Sequence, residues 1–504
     1  MGLSYPYVNV ATAVQTLLLN KTFRISGIVF FGNAGSLDEN VLVPGDVVVP
    51  EAVAFTGVWE WEEFRAQNKG KLVFGNYNYP ENGENLLGTA AYENITLYSP
   101  SEEPKEVFWL PISSSWYKAA TEELTKDLKF KECHSGRCLP GTAKVVFGLK
   151  ASTSDFYVKN KAYGDFLLEK FNASTTDSAI LLVLGLLLVT AKQSTQMSLK
   201  NPTSDIETSN CKVAFLRLGL VLTSDNNEKA LRDSGLFEPD SENPHVDIAG
   251  RRFHVGTLNK TPIMYVKSGT HSVNVATAVQ TLLLKFPISG IIFFGSSGSL
   301  DKDMLMPGDV AVPKAVAFTG VWEWKKFRSE NKGKLVFGDF NYPENGENLL
   351  GTAEHQKIDL FSTSEESKEV FWLPISSSWY EAATEELKDL KLKKCHSGTC
   401  LPGTPKVVFG SKASTSDFYV KNKAYGDFLL EKFNASTADS ASASVALTTL
   451  SNEKIFVVFQ GVSNVAGGKS SNSGTKYIAS YNAFLAATSS LIQFLRTTCL
   501  RVMR

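Results

Sequence analysis

The sequence predicts an α/β fold in which a central mixed sheet lies between layers of helices, and it predicts this fold twice. Short apolar runs that suit buried strands alternate with segments of helical periodicity over residues 215–498. A repeat with a period of about 260 residues brings much of the same pattern into the preceding part of the 504-residue chain. Apolar residues make up 43% of the chain and charged residues 20%, which is ordinary for a globular protein.

The repeat indicates a duplicated domain, because its period is far longer than the roughly 20–50 residues of a solenoid unit. The segment VNVATAVQTLLL begins at Val8 and again at Val273. The copies are unequal, since seven residues precede Val8 while about 60 residues of apparent domain sequence precede Val273. We therefore predict a truncated first copy over residues 1–178 and a complete copy over residues 211–504.

An apolar segment separates the two copies. Residues 179–191 are uncharged and mostly apolar, and a polar stretch follows them to residue 210. A membrane-spanning helix needs about 20 apolar residues, whereas the apolar core of a signal peptide has about 7–15. We interpret residues 179–210 as a segment resembling a secretory signal with a polar linker; a buried core element and a membrane span are the alternatives. This interpretation predicts a vacuolar or extracellular protein, with membrane association only through an uncleaved 179–191.

The elements of the complete copy follow one another as strands and helices. The apolar runs predict strands at 215–224, 251–259, 261–269, 288–295, 307–313, 406–412 and 453–463. Helical periodicity and capping residues predict helices at 226–235, 273–286, 377–392, 422–433 and 477–498. Ligands bind such sheets where strands end and loops gather, so the glycine-rich turn after the fourth strand is the first candidate site. Its ligand-contacting residues are predicted to be Gly295, Ser296 and Gly298.

The order of these motifs resembles that of the nucleoside phosphorylase and nucleosidase superfamily. The segment FGSSGSL is followed by PGDVAVP, and a helix precedes the final VVFQGVSNVAGG. The segments VDIAGRRFHVGTLNKTPIMYVKSG and AFTGVWEW, with a C-x4-C pair, are similar to the bark and vegetative storage proteins of plants within that superfamily. The resemblance implies a three-layer nucleoside phosphorylase-like fold, and its enzymes cleave the N-glycosidic bond of purine nucleosides. It also leads us to expect a homo-oligomer.

The sequence departs from the superfamily at both expected carboxylates. In the cleavage reaction the departing purine must gain a proton, so an acid is needed beside the base. The ribose becomes cationic in the transition state, so a second carboxylate is needed near its hydroxyls. By resemblance, Asn464 stands at the Asp that protonates the purine, and Ala441 stands at the Glu that holds the ribose hydroxyls. A third position, a Glu that activates water, is Asn227 here, with Glu228 beside it as a substitute. Losing a general acid or base costs about 10²–10⁴-fold in rate, which predicts a catalytically degenerate protein.

We expect the protein to have kept ligand binding although the catalytic carboxylates are replaced. Phe418 and Tyr419 fall where superfamily members stack the purine, although both are equally compatible with a core role. Together with Ser296 and Asn464 they predict binding of a purine base or nucleoside. An active nucleosidase or phosphorylase that uses Glu228 is the alternative. No cofactor is expected, and phosphate would enter only as the co-substrate of a phosphorylase. The net charge of −1 and the lack of a long basic stretch argue against nucleic-acid binding.

The cysteines predict disulfides rather than a metal site. Cys133 and Cys138 enclose four residues, as do Cys395 and Cys400, and neither copy has the second ligand pair that a zinc site requires. A local disulfide in an exported protein is the preferred interpretation. In such a protein, Asn-x-Ser/Thr motifs are glycosylation acceptors, and the predicted sites are Asn94, Asn259 and Asn434.

Overall fold

The fold is seen in a computed structural model. It describes residues 7–20, 25, 27–57, 59–61, 90–92, 94–99, 102–125, 130, 133–134, 137–139, 141–154, 161–177, 217–320, 322–324, 353–355, 357–362, 364, 366–417, 419–420, 423–466 and 471–502. The segment 179–210 and Phe418 lie outside these residues. The first copy and the complete copy keep these names below for residues 1–178 and 211–504.

Helices occur in both copies. Those of the first copy are α1 (Tyr7–Leu19), α2 (Ser114–Leu124) and α3 (Lys161–Phe171). Those of the complete copy are α4 (Asp225–Asp233), α5 (Ser272–Lys285), α6 (Ser377–Glu386), α7 (Lys423–Phe433), α8 (Ser442–Ser451), α9 (Ser473–Ser489) and α10 (Leu491–Val502). The terminal helix predicted over 477–498 is instead two helices, because the chain bends by 41° between α9 and α10.

The strands are numbered in chain order. Those of the first copy are β1 (Gly35–Ser36), β2 (Val47–Phe55), β3 (Trp59–Trp61), β4 (Ala90–Tyr92), β5 (Ile95–Ser99), β6 (Glu102–Val107), β7 (Trp109–Pro111), β8 (Cys133–His134), β9 (Arg137–Cys138), β10 (Val145–Thr153) and β11 (Ala173–Asp177). Those of the complete copy are β12 (Arg217–Leu222), β13 (Phe237–Pro239), β14 (His245–Ile248), β15 (Arg251–Leu258), β16 (Thr261–Lys267), β17 (Ile288–Ser299), β18 (Val310–Val312), β19 (Ala315–Phe318), β20 (Trp322–Trp324), β21 (Ala353–His355), β22 (Ile358–Leu360), β23 (Lys368–Val370), β24 (Leu373–Pro374), β25 (Cys395–His396), β26 (Thr399–Cys400), β27 (Val407–Phe409), β28 (Lys412–Thr415), β29 (Thr437–Asp439) and β30 (Ile455–Val465).

A mixed sheet of 13 strands forms the centre of the complete copy, in the order β13-β15-β16-β12-β17-β29-β28-β19-β24. Strand β30 lies parallel to β17 and also pairs with β18. The helices α5 and α8 pack together against this sheet, as do α4 and α9. This arrangement confirms the predicted α/β class, and it brings the ends of β12, β16, β17 and β30 to one edge of the sheet.

Strand β17 is the centre of the sheet, and it is longer than predicted. Its residues from Ile291 to Phe294 are 0–1% exposed, as expected for an apolar strand with neighbours on both sides. The predicted turn at Gly295–Gly298 is wrong: these residues continue the strand to Ser299 and pair with β30, Gly295 opposite Gln460. Pairing with β30 keeps the segment extended, because β30 takes up the backbone groups that a turn would leave free.

The first copy has a smaller sheet of five strands, in the order β1-β11-β10-β2-β7. These strands correspond to the half of the larger sheet that contains the end of β17, β29, β28, β19 and β24. Buried residues of the first copy, including Val8, Ala11 and Phe55, belong to the same hydrophobic core as the complete copy. The two copies therefore pack as one body around a shared apolar core.

Candidate functional site

The candidate site lies at the carboxyl end of β17 and β30, where Gly298 is opposite Asn464. The Asn464 carboxamide is half-buried, accepts a hydrogen bond from the Ser463 hydroxyl at 2.9 Å and donates to the Val465 carbonyl at 3.1 Å. The Ser463 hydroxyl also donates to the Ser297 carbonyl at 3.1 Å. Asn464 is thus held by its immediate neighbours, with a neutral amide where the resemblance implies an acid.

The three predicted residues of the glycine-rich segment have different surroundings. The Ser296 hydroxyl lies 3.1 Å from that of Ser480, which is fully buried in α9, so it bridges sheet and helix. A Cβ on Gly295 would lie 2.7 Å from the Phe293 ring, so this position requires glycine for packing. A Cβ on Gly298 would meet its nearest atoms at 3.6 Å, which is ordinary contact. Close packing therefore requires glycine at only one of the two positions.

Ala441 is the N-cap of α8 and only 2% exposed, so it brings no oxygen to the site. The carboxylate nearest to it along the chain is Asp439, which accepts the backbone N–H groups of Ala441 and Ser442, each at 3.2 Å. Asp439 also accepts from Thr415 Oγ1 at 2.7 Å, from Gln460 Nε2 at 2.7 Å and from the Ser442 hydroxyl. Asp439 thus holds the start of α8 from two residues before the N-cap, at the centre of a hydrogen-bond network.

Glu228 lies in α4 and is engaged in two ion pairs. Its carboxylate is 2.6 Å from the Arg232 guanidinium and 2.9 Å from Lys267 Nζ, and its side chain is 11% exposed. Asn227 is buried and forms a capping box with Ser224, so its amide is used to start the helix. The geometry places a carboxylate beside the matched position, and two cations already neutralise it.

Two half-buried titratable groups lie near the same edge of the sheet. The His254 ring stacks on Tyr265 with centroids 4.3 Å apart, and burial lowers the pKa of His254 to about 4. Asp417 is half-buried at the N-terminus of α5, where it accepts from the Ser272 N–H at 2.8 Å and from the Ser272 hydroxyl at 3.0 Å. Burial raises the pKa of Asp417. Tyr419, two residues further on, is 42% exposed.

Sequence reasoning missed Asp417 and Asp439, and a local signal was present for both. Asp417 lies two residues after β28 and Asp439 is the last residue of β29, directly before the Ser and Ala residues that lead into α8. An aspartate in that place is a typical helix N-terminal residue. The spatial partner of Asp417, by contrast, is Ser272, 145 residues away, which no local pattern predicts.

The cysteine pairs close two equivalent hairpins. Cys133 is bonded to Cys138, and Cys395 to Cys400. In the complete copy the His396 ring stacks on Tyr477 of α9 at 3.9 Å, which attaches this hairpin to the domain. Within the described part of the chain, no three His, Cys, Asp or Glu side chains come close enough to hold a metal ion. In the same part, no single helix meets the length and hydropathy needed to cross a membrane, though the bent pair α9–α10 meets them jointly.

Both copies of the chain match a known protein family. The family model of the phosphorylase superfamily matches residues 4–178 and 217–493. The chain belongs to the phosphorylase superfamily. Two separate matches confirm the prediction of a tandem member of this superfamily.

Among individual relatives of this superfamily member, bark storage proteins A and B of Populus deltoides are each 72% identical to it. The match covers 297 residues, which is 59% of this chain and 95% of each relative. A 5′-methylthioadenosine/S-adenosylhomocysteine nucleosidase from Colwellia psychrerythraea 34H, solved with adenine, is 17% identical. It covers 55% of this chain and 95% of its own, with a TM-score of 0.39.

Proposed function

We propose that this protein is a storage-type member of the phosphorylase superfamily that binds a purine or nucleoside without cleaving it efficiently. The observation that carries the proposal is the neutral amide of Asn464 at the end of β30, hydrogen-bonded to Ser463 and Val465. The storage role is supported by the 72% identity to bark storage proteins.

The chemistry of N-glycosidic cleavage explains why the amide matters. The purine leaves as an anion unless an acid protonates it, and a carboxamide has no proton to give at neutral pH. Ala441 offers a methyl group where a second carboxylate would stabilise the cationic ribose. The Glu228 carboxylate is already occupied by ion pairs with Arg232 and Lys267, so it is poorly placed to take a proton from an attacking water.

Binding is a separate property, and the same residues support it. The Asn464 carboxamide has both a donor and an acceptor, which suits the edge of a purine. To bind one, the carboxamide would have to rotate away from Ser463 and Val465. The exposed ring of Tyr419 offers a stacking surface, and Phe418, outside the described residues, remains a second candidate. Calorimetry with adenine tests this, and heat of binding that is lost in Asn464→Ala is the expected result.

The catalytic test uses the full chain with adenosine, inosine and methylthioadenosine, with and without phosphate, and measures free base. We expect no turnover near ordinary enzyme rates of about 1–10³ per second. Asn464→Asp with Ala441→Glu should raise base release by about 10²-fold or more, because an acid and a carboxylate return. Asn464→Ala is the matched control. Rapid turnover by the unmodified chain, abolished in Glu228→Gln, would instead establish an active nucleosidase or phosphorylase.

An exported, glycosylated protein is the second part of the proposal. The two hairpin disulfides suit an oxidising compartment, and Asn94, Asn259 and Asn434 are all exposed, as acceptors must be. Treatment of the protein from its natural source with an endoglycosidase should increase its gel mobility. Unchanged mobility, with free thiols at all four hairpin cysteines, would contradict export.

A further inference from the structure

The Cys395–Cys400 hairpin packs on the first turns of α9. It consists of β25 and β26, which form a separate two-stranded sheet in which the two cysteines lie opposite each other. The His396 ring stacks on that of Tyr477 with centroids 3.9 Å apart. A Cβ on Gly474 would lie 2.3 Å from Thr399 Oγ1, so the hairpin reaches the helix backbone at this glycine. The tip of the hairpin therefore contacts the start of α9 at two positions.

The base of the hairpin is held without help from the disulfide. Asn482 of α9 is fully buried; its side chain accepts from the Lys393 N–H at 2.8 Å and donates to the Lys393 carbonyl at 3.0 Å. On the other side, Leu401 is 4% exposed and packs closely on Gly308, where a Cβ would lie 2.1 Å from it. Opening the disulfide would therefore free the tip, residues 395–400, and leave the base in place.

Tyr477 connects the hairpin to a second helix. Its hydroxyl donates to Asp233 of α4 at 2.8 Å, and Lys229 Nζ lies 2.6 Å from the same carboxylate. The Lys229 ammonium also lies 5.3 Å from the centre of the Tyr477 ring. The stack of His396 on Tyr477 therefore holds α9 beside α4, the helix that carries Glu228.

The start of α9 is also joined to the end of β30. Asn472 is the N-cap of α9, and its side chain accepts from the Thr475 N–H at 2.8 Å. The preceding Ser471 hydroxyl donates to the Ser463 carbonyl. The Ser463 hydroxyl in turn donates to the Asn464 carboxamide at 2.9 Å. Movement of the first turns of α9 would therefore reach the candidate site through these hydrogen bonds.

The two hairpin disulfides differ in what they hold. Cys133 and Cys138 close the equivalent hairpin of the first copy. The repeat ends at Asp177, so no residue of the first copy corresponds to Tyr477. A tip that packs on α9 is therefore a property of the complete copy, and the first copy supplies a matched control for it.

We infer that the Cys395–Cys400 disulfide is a redox-sensitive clamp, which holds the first turns of α9 against α4 and the candidate site when oxidised and releases them when reduced. Both cysteines are exposed, so a thiol can reach them. One thiolate of a dithiol attacks one sulfur and displaces the other cysteine, and its second thiol then resolves the mixed disulfide. The dithiol is oxidised to a disulfide, and the two cysteine sulfurs end as protonated thiols.

The first experiment measures hydrogen exchange of the full chain by mass spectrometry, in peptides that cover α9. Cys395→Ser with Cys400→Ser should speed exchange in the first turns of α9 by about tenfold or more, because the tip loses the constraint of a short closed loop. Cys133→Ser with Cys138→Ser is the matched control and should leave α9 unchanged. Equal exchange of α9 in these two variants and the unmodified chain would overturn the inference.

The second experiment tests reduction itself, in a chain whose first hairpin is already removed by Cys133→Ser and Cys138→Ser. Treatment with a small dithiol should speed exchange in α9 while circular dichroism shows that the fold persists, and reoxidation should reverse the effect. The chain with Cys395→Ser and Cys400→Ser should not respond to the dithiol. The same acceleration in that chain would assign the effect to other cysteines and refute the clamp.

Substitutions of His396 test the contact through which the clamp acts. His396→Ala keeps the disulfide and removes the stack on Tyr477, so α9 should exchange faster before any reduction; His396→Phe should restore slow exchange because a ring returns. Adenine calorimetry on the oxidised and reduced chains should show weaker binding after reduction. A chain that binds no adenine in either state would contradict the proposed purine binding, whereas the exchange results would still decide the clamp.

Discussion

Residues 25–36 and residues 288–299 have almost the same sequence and different structures. The first segment reads ISGIVFFGNAGS and the second ISGIIFFGSSGS. The second is β17, the buried centre of a 13-stranded sheet, whereas described residues 27–34 of the first form no helix or strand. Phe31 is 91% exposed, while its counterpart Phe294 is fully buried. Sequence alone therefore does not make this segment a strand.

The two segments differ in structure because they differ in the strands that lie beside them. Strand β17 is parallel to β12 on one side and to β30 on the other, so most of its backbone groups are paired. The described part of the first copy contains no counterpart of either strand. An extended apolar segment without partners would leave its backbone donors and acceptors unpaired in the sheet plane, and a single strand has no stability by itself.

A tryptophan shows the same effect on packing. Trp379 in α6 is fully buried, stacks on Phe494 of α10 at 4.7 Å and donates its indole N–H to Thr498 Oγ1 at 3.2 Å. Its counterpart Trp116 in α2 is 43% exposed. Both rings cover an equivalent glycine, Gly290 and Gly27 respectively. What the first copy lacks, among its described residues, is a terminal helix to cover the other face of the ring.

The largest expected effect comes from separating the copies. Residues 1–178 expressed alone should aggregate or remain partly unfolded, because Phe31, Val29 and Trp116 are already exposed and α1 would lose its contact with α5. Residues 211–504 should unfold in one cooperative transition. Thermal unfolding followed by circular dichroism measures both. A cooperative transition of monomeric 1–178 would show that the first copy folds without the complete copy, contrary to this prediction.

A smaller effect is expected from equivalent substitutions in the two segments. Phe294→Ala should lower the free energy of unfolding by about 3–5 kcal/mol, because it leaves a cavity in the core. Phe31→Ala, its matched control, should change it by less than about 0.5 kcal/mol, because the ring is on the surface. Urea denaturation of the full chain gives both values. Equal losses would mean that residues 25–36 are buried in solution.

The smallest effect concerns acid sensitivity, which the comparison assigns to the complete copy. His254 lies in β15, a strand without a counterpart in the described first copy, and burial lowers its pKa from 6.5 to about 4. The unfolded state therefore binds more protons between these values, so stability falls as the pH is lowered through that window.

His254→Phe keeps a ring against Tyr265 and removes the titration, so it should flatten the decline in stability between pH 6.5 and about 4. Tyr265→Phe, the control, should preserve the slope because the imidazole is still present. Denaturation midpoints at several pH values provide the measurement. An unchanged slope in His254→Phe would show that other groups cause the acid sensitivity.

Much of the fold could be predicted because local sequence patterns indicate it. The period of the repeat, the strand pattern of β12 and β16 and the helical pattern of α5 all follow from residues close together in the sequence. The departures at Ala441 and Asn464 could also be found by sequence matching alone. The placement of Glu228 between Arg232 and Lys267 could not, because Glu228 and Arg232 lie in α4 whereas Lys267 is supplied by β16.

What the sequence by itself determined is the duplicated superfamily domain, the order of its elements and the identity of the residues at the candidate site. Only the tertiary structure decided that described residues 27–34 stay out of the sheet, that β17 continues through Gly298, and that the copies meet through α1 and α5. The physical reason is common to all three. Backbone pairing and burial depend on distant partners, and identical local sequences adopt different structures when those partners differ.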